Sequence, residues 1–332
     1  MLKNKRNKYL LQLLVLTFIP FTADNVRAQE SPVPLVDSPV SASTLSMGGV
    51  GLMSATDHYI YTNPSSLLYQ DKTYTLSLSG ALRGKHLNAE GRLKDVNVSA
   101  GWHFLDNQAL FAGFRYQGGL TYLYKNGLFE GGLQQEYKPY DWLASLGYAF
   151  RIDDAWSLFA TGHFVYQYSG RPASGGIFSI GANYKVILDN RDRSNYTGYT
   201  RRWLNLSARI SGVGTPLYYS KEESYPFPAK GEATGELFLT PHPHHRLRFL
   251  LGADAGFLRK ELGVLAGTLA TEYTYHDILT LRAGIHPATR ESGRWSVGGG
   301  VCLYGIQVGM AYSWGLHDSY TNLGMLSLSY IY

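Results

Sequence analysis

The sequence predicts an all-β protein: a transmembrane antiparallel β-barrel of about 14 strands with an N-terminal plug. Three observations predict it. Apolar and small or polar residues alternate with period two in segment after segment. The composition joins 26 Tyr and 37 Gly, 14% aromatic residues in all, to only 17% charged ones. The last strand ends the sequence on an aromatic residue, with another two positions before it.

In chain order, Lys3, Lys5, Arg6 and Lys8 precede an apolar run from Tyr9 to Phe21, and Val26-Arg27-Ala28 offers small residues for cleavage. Residues 1–28 read as a secretory signal cut near Ala28, because that run falls short of the roughly 20 residues a spanning helix needs. The sole cysteine, Cys302, lies far from the signal, so a lipid-anchored or disulfide-braced chain is excluded. The formal charge of +5 belongs mostly to the signal, whose five basic residues and one acid leave 25 basic and 24 acidic side chains behind. A mature chain so close to neutral, without a basic block, offers nothing for nucleic acid to bind.

The alternation is clearest from Tyr140, where Tyr140, Trp142, Ala144, Leu146, Tyr148 and Phe150 form one face and Asp141, Leu143, Ser145, Gly147 and Ala149 the other. After the tight turn at Asp153-Asp154, Trp156, Leu158, Ala160, Phe164, Tyr166 and Tyr168 continue the apolar face opposite Ser157, Thr161, His163 and Gln167. A small, polar second face is what a barrel lumen requires. By the same pattern, strands are predicted at 73–83, 95–104, 108–117, 140–152, 155–168, 176–188, 203–212, 231–240, 246–258, 263–275, 278–286, 293–303, 305–314 and 323–332. Short turns alternate with long loops at 118–138, 189–201 and 214–230, expected to be periplasmic and extracellular respectively. In the last strand Leu326, Leu328, Tyr330 and Tyr332 face outward and make up an expected assembly signal.

Residues 29–70 alternate poorly and are rich in small side chains, including Met47-Gly48-Gly49-Val50-Gly51 and Asn63-Pro64-Ser65-Ser66-Leu67. They read as a lead-in and lumen plug ahead of a barrel over 71–332. Asn63 can cap a helical turn whose first residue is Pro64. The plug residues singled out are Met47, Gly48, Gly49, Gly51, Asn63 and Pro64.

A small-residue run with Met-Gly-Gly, a nearby Asp57 and an Asn-Pro element ahead of an aromatic-rich barrel resembles the FadL-like outer-membrane family. Segments 204–215, 225–230 and 281–284 resemble in particular its PorV/PorQ branch of Bacteroidetes. Asn63-Pro64-Ser65 departs mildly from the Asn-Pro-Ala of many relatives. The resemblance implies a Gram-negative outer-membrane protein, not an enzyme, in contact with outer-membrane lipids and the barrel assembly machinery. In the PorV/PorQ reading it is an accessory of type IX-like protein secretion, binding secretion-system proteins or secreted cargo. Tyr196, Tyr199, Tyr218, Tyr219 and Tyr225 on the long loops are then the expected aromatic anchors. The alternative is FadL-like transport of small hydrophobic molecules.

No cofactor is expected. Gly48-Gly49-Val50-Gly51 has no following Lys-Ser or Lys-Thr, and close packing accounts for it better than phosphate binding. His242, His244 and His245 stand between two strands with Pro241 and Pro243; a polar turn is preferred there to a metal site because no Cys or carboxylate is near in sequence. His163, Asp254, Glu272, Arg282, Arg248 and Arg209 fall at lumen positions and read as an interior held by ion pairs, not as an acid/base constellation; no Gly-x-Ser-x-Gly occurs.

Overall fold

The computed structural model describes residues 33–85, 89–125, 134–191, 200–220, 223–258, 261–288, 293–316 and 322–332. In chain order the strands are β1 (Tyr74–Arg83), β2 (Glu90–Leu105), β3 (Gln108–Lys125), β4 (Gln134–Tyr137), β5 (Tyr140–Arg151), β6 (Trp156–Tyr168), β7 (Pro172–Arg191) and β8 (Thr200–Tyr218). They continue as β9 (Ser224–Tyr225), β10 (Ala229–His242), β11 (His245–Leu258), β12 (Glu261–Tyr275), β13 (Leu279–His286), β14 (Arg294–Leu303), β15 (Ile306–Gly315) and β16 (Leu323–Ile331). Fourteen of these, all but the short β4 and β9, pair antiparallel with their neighbours into one closed ring. The ring closes where β16 meets β1, with Leu328 opposite Leu78 and Ser327 opposite Ser79. Closure leaves no sheet edge unpaired, which a strand in lipid requires.

The period of two does what the sequence predicts on the outside. Leu146, Phe178, Ile180 and Met310 are among the most exposed large side chains, while Ser77, Ser145 and Ser179 point inward and are buried. Aromatic pairs mark the two rims of this apolar belt: Tyr74 stacks on Trp102 at one, and Trp295 stacks on Trp314 with centroids 4.1 Å apart at the other. Tyr and Trp suit such rims because an apolar ring carries a polar tip.

The inward face departs from the expected small, polar lining. Phe111, Leu143, Phe159, Val165, Ile177 and Leu217 are buried there, in one cluster with Leu35, Tyr59, Ile60, Leu67 and Leu68 from the N-terminal segment. The lumen is filled by protein, so its wall carries a core.

That segment runs the length of the barrel. Its short helices, Pro34–Asp37 and Ala42–Ser46, are followed by 3-10 turns Tyr59–Tyr61 and Pro64–Tyr69. Asp37 lies 3.8 Å from Lys230 at the start of β10, and Ser38 meets Arg83 at the end of β1. At the other extreme the Leu68 carbonyl accepts from Arg151 at the end of β5, and Thr73 donates to the carbonyl of Tyr332. The plug therefore enters near the end where β1 joins β2 and leaves at the end that holds Tyr332, called here the loop end and the turn end.

Strand direction corrects one expectation. β7 runs toward the turn end and β8 away from it, so the segment 192–199 joins strand ends on the same side as the short turns at Asp106-Asn107, Asp153-Asp154 and Tyr304-Gly305. Segment 219–228 joins β8 to β10 at the opposite end. Loop length does not sort the two ends of this barrel.

Candidate functional site: the cavity between plug and wall

The plug is fixed by groups that sequence alone leaves scattered. Ser41 caps Ala42–Ser46: its side chain accepts from the Thr44 N–H, and the Thr44 hydroxyl in turn accepts from the backbone of Ser41, two orphan donors satisfied at once. Ser41 and Ser43 both donate to the buried carboxylate of Asp57, at 3.0 and 2.6 Å. His58 meets the Ser99 hydroxyl through Nδ1 at 3.0 Å. Asn63 does two jobs. Its Oδ1 accepts from the Ser65 N–H and caps the turn begun by Pro64, and its Nδ2 donates to Asn183 and Ser207 on the wall, each at 3.1 Å.

The glycine run serves close approach. Gly48 and Gly49 adopt left-handed backbone, with φ of 82° and 75°. A side chain at Gly284 on β13 would run into the backbone of Gly48. The Gly48 N–H donates to Ser296 at 3.1 Å and its carbonyl accepts from Arg294 at 3.0 Å. Met47 is buried against Leu250 and Ala270.

Between this plug and a stretch of wall from β3 round to β14 lies a cavity of about 180 Å³. Val36, Ile60, Leu143, Ile177 and Phe227 form its apolar part; Tyr61, Arg115, His163, Arg209, Lys230 and Glu232 supply polar groups. Most of those polar groups already have partners on the wall or the plug, whereas the Tyr61 hydroxyl is buried without a hydrogen bond. Arg209 donates to Glu232 at 2.5 Å and to the carbonyl of Thr62 at 3.1 Å. Arg115 donates to Asn97 at 2.7 Å and to the Ser38 carbonyl at 2.9 Å, with its guanidinium 5.4 Å from the centre of the Tyr61 ring. Tyr61 stacks on His163, whose Nδ1 meets Ser145 at 2.8 Å. Lys230 lies 3.4 Å from Asp254. Charges satisfied in this way stiffen the walls, and a guest would meet a surface that is about half apolar and half polar.

Beside the cavity an ionic ladder crosses β10 to β13. Arg248 lies 2.7 Å from Glu236 and 3.7 Å from Glu272, and Arg282 donates to Glu272 at 2.6 Å. Arg209, Arg248, Asp254, Glu272 and Arg282 take part in lumen ion pairs as the sequence predicts, while His163 is engaged by hydroxyls instead.

Of the other singled-out residues, Gly49 and Gly51 line the cavity. Leu326, Leu328, Tyr330 and Tyr332 lie together on the outer face. Tyr218 and Tyr225 are exposed near the loop end. Tyr219 is not a free anchor: its ring packs against the plug cluster and its hydroxyl meets Ser169 and Gln167. Tyr196 and Tyr199 lie outside the described residues. Sequence reasoning missed Arg115, Lys230 and Glu232, although each occupies an inward position of a predicted strand or of its flank.

No protein-family model matches the chain, and no curated protein does. Solved structures do. The toluene transporter TodX of Pseudomonas putida superposes with a TM-score of 0.56 at 13% identity, over 90% of this chain and 99% of that one. The CymD monoaromatic hydrocarbon channel gives 0.55 at 12% identity over 90% and 98%. The toluene transporter TbuX of Ralstonia pickettii gives 0.54 at 12% identity over 90% and 99%. At such identities the likeness is one of fold, and the chain has the fold of these hydrocarbon channels.

Proposed function

We propose that the chain is an outer-membrane channel for small hydrophobic molecules, reached after removal of residues 1–28, with the cavity beside the plug as its binding site. The observation that carries this reading is the cavity's size and lining. An apolar protein cavity of about 150 Å³ is known to hold benzene, and this one measures about 180 Å³, with Val36, Ile60, Leu143, Ile177 and Phe227 on the apolar half of a surface whose other half is polar. The fold shared with toluene and monoaromatic hydrocarbon channels supports the same class of guest. The plug obstructs the bore, so passage is by binding and release, not by open diffusion.

The PorV/PorQ expectation, with its secretion partners, gains no comparable support. The two tyrosine loops it relies on join strand ends at opposite ends of the barrel, and Tyr219 is occupied within the fold. Transport, the second expectation, becomes the main one. The test is saturable binding of toluene by the purified, folded barrel, followed by ligand-observed NMR. Ile177→Trp, which fills the cavity from the wall, is expected to abolish it while the barrel keeps its folded gel mobility. Equal toluene uptake by both proteins would place the binding in the detergent and overturn the reading.

A further inference from the structure

We infer that the cavity is built for a monoaromatic guest bearing one hydroxyl group, which Ser179 of β7 and Ser211 of β8 hold; this rests on the channel reading and names its substrate class. Both serines line the cavity, and Ser179 is buried. Among the described residues neither hydroxyl has a hydrogen-bond partner. The charged side chains beside them are occupied: Arg115 and Arg209 donate to plug carbonyls, Arg209 also to Glu232, and Lys230 lies between Asp254 and Asp37. The Tyr61 hydroxyl, also without a partner, is pressed against Gly113 in the wall of β3. Ser179 and Ser211 are thus the neutral hydrogen-bonding groups left for a guest.

The fold explains why the two hydroxyls come together. Phe178 pairs with Val213 and Ile180 with Ile210, so the single residue Ser179 stands across from two, Ser211 and Gly212. That is a β-bulge, in which one extra residue leaves the ladder and re-aims its neighbours. Gly212 supplies the left-handed backbone, with φ of 77°, and a side chain there would run into the Pro228 carbonyl. Phe178, Ile180, Ile210 and Val213 all stay on the outer face, so the bulge turns Ser179 and Ser211 inward from adjoining strands at one point. The guest's charge follows from the ion pairs. A carboxylate or ammonium would enter without a counter-ion of its own, whereas a phenolic group can donate to one serine and accept from the other. Its ring is left for Ile177, two residues from Ser179 on the same face, and for Ile60 of the plug. A volume of about 180 Å³ admits one such ring with a small substituent. Toluene fits the same space but leaves both hydroxyls unmet, and a site that hydrogen-bonds a hydroxyl discriminates against the analogue lacking it.

The test is competition between toluene and p-cresol, which adds one oxygen to the same frame, for the full mature barrel in detergent, read by ligand-observed NMR. The quantity compared between proteins is the ratio of the two dissociation constants, because the compounds' unequal partition into detergent then cancels. Joint Ser179→Ala and Ser211→Ala replacement, in a barrel of normal gel mobility, should shift that ratio toward toluene by about threefold to tenfold, the effect of one net hydrogen bond. Each single replacement should give part of the shift, and Ser179→Thr, which keeps a hydroxyl, should hold the native ratio. Ser327→Ala, at a lumen serine of β16 outside the cavity, should leave the ratio unchanged. Toluene and cresol binding whose ratio ignores Ser179 and Ser211, or moves as much with Ser327→Ala, would overturn this inference alone. Failure of the native barrel to bind either compound would overturn the channel reading along with it.

Discussion

Replacing Leu146 by arginine tests the facing and depth of the wall together. Leu146 is 71% exposed and lies across from Ala112 on β3 and Gly162 on β6. With a rise of about 3.4 Å per residue and a strand tilt near 40°, it sits roughly 15 Å below Tyr140 and 13 Å above Arg151, close to the middle of an apolar band about 25 Å tall. Arginine at that depth should cost about 2–4 kcal/mol, which is about a 30-fold to 1,000-fold loss in the folding equilibrium. Ile152, just beyond β5 at the turn end and 56% exposed, provides the control, since the same charge near the interface should cost only about 0–1 kcal/mol. Ser145 would make a poor one, because its side chain meets His163 and its space is taken by the plug side of the wall. The assay is reversible urea unfolding in lipid vesicles, read by the gel mobility of unheated samples. Equal losses at Leu146 and Ile152 would refute the placement of β5 in the membrane.

Asn63→Ala removes a turn cap, worth about 0.5–2 kcal/mol, and two hydrogen bonds to Asn183 and Ser207 worth roughly 0.5–1.5 kcal/mol each. It should loosen the plug and raise the ion conductance of the reconstituted barrel, whereas unchanged conductance would mean that Asn63 does not hold the plug. Arg248→Met leaves Glu236 and Glu272 buried beside a lost cation, at a cost of about 3–5 kcal/mol, while Arg248→Met joined to Glu236→Leu should recover part of it; a double variant no better than the single would count against the ladder. Deleting Tyr330 to Tyr332 should sharply reduce the membrane-inserted fraction without affecting signal cleavage, and normal insertion would deny the last strand an assembly role.

The strands were legible because lipid imposes one rule on every outward position. Where that rule lapses, so does the prediction. The sequence predicts strand at 108–117, yet β3 runs on to Lys125; it predicts 203–212, yet β8 continues through a bulged stretch to Tyr218. Past the aromatic rim an outward residue faces water, and Gly119 and Thr121 serve as well as Leu. Gly212, with φ of 77°, breaks the register of β8 and hides the continuation beyond it. The large apolar residues facing inward, such as Leu143 and Val165, run against the small polar lining expected of a lumen, because their partners Leu35 and Ile60 lie some hundred residues earlier. Alternation states that a side chain points inward and is silent about what fills the interior.

The site shows the same limit in a sharper form. Parity assigns Arg209, Glu232, Arg248 and Glu272 to the inside, but an ion pair also needs equal height, and height depends on register. Glu232 lies opposite both Arg209 and Asp254, and Arg248 lies opposite Glu272, only because β8, β10, β11 and β12 pair as they do. The same register sets Lys230 one step farther toward the loop end, where the descending plug presents Asp37. Which end a connection occupies, by contrast, was open to simple counting: strand directions alternate, so the joint between β7 and β8 must share an end with the joint between β5 and β6. Loop length suggested otherwise for 192–199, and the constraint from alternating direction prevails because an antiparallel closed ring admits no other arrangement. A surface built from both tyrosine loops is therefore ruled out by topology, before any question of affinity arises.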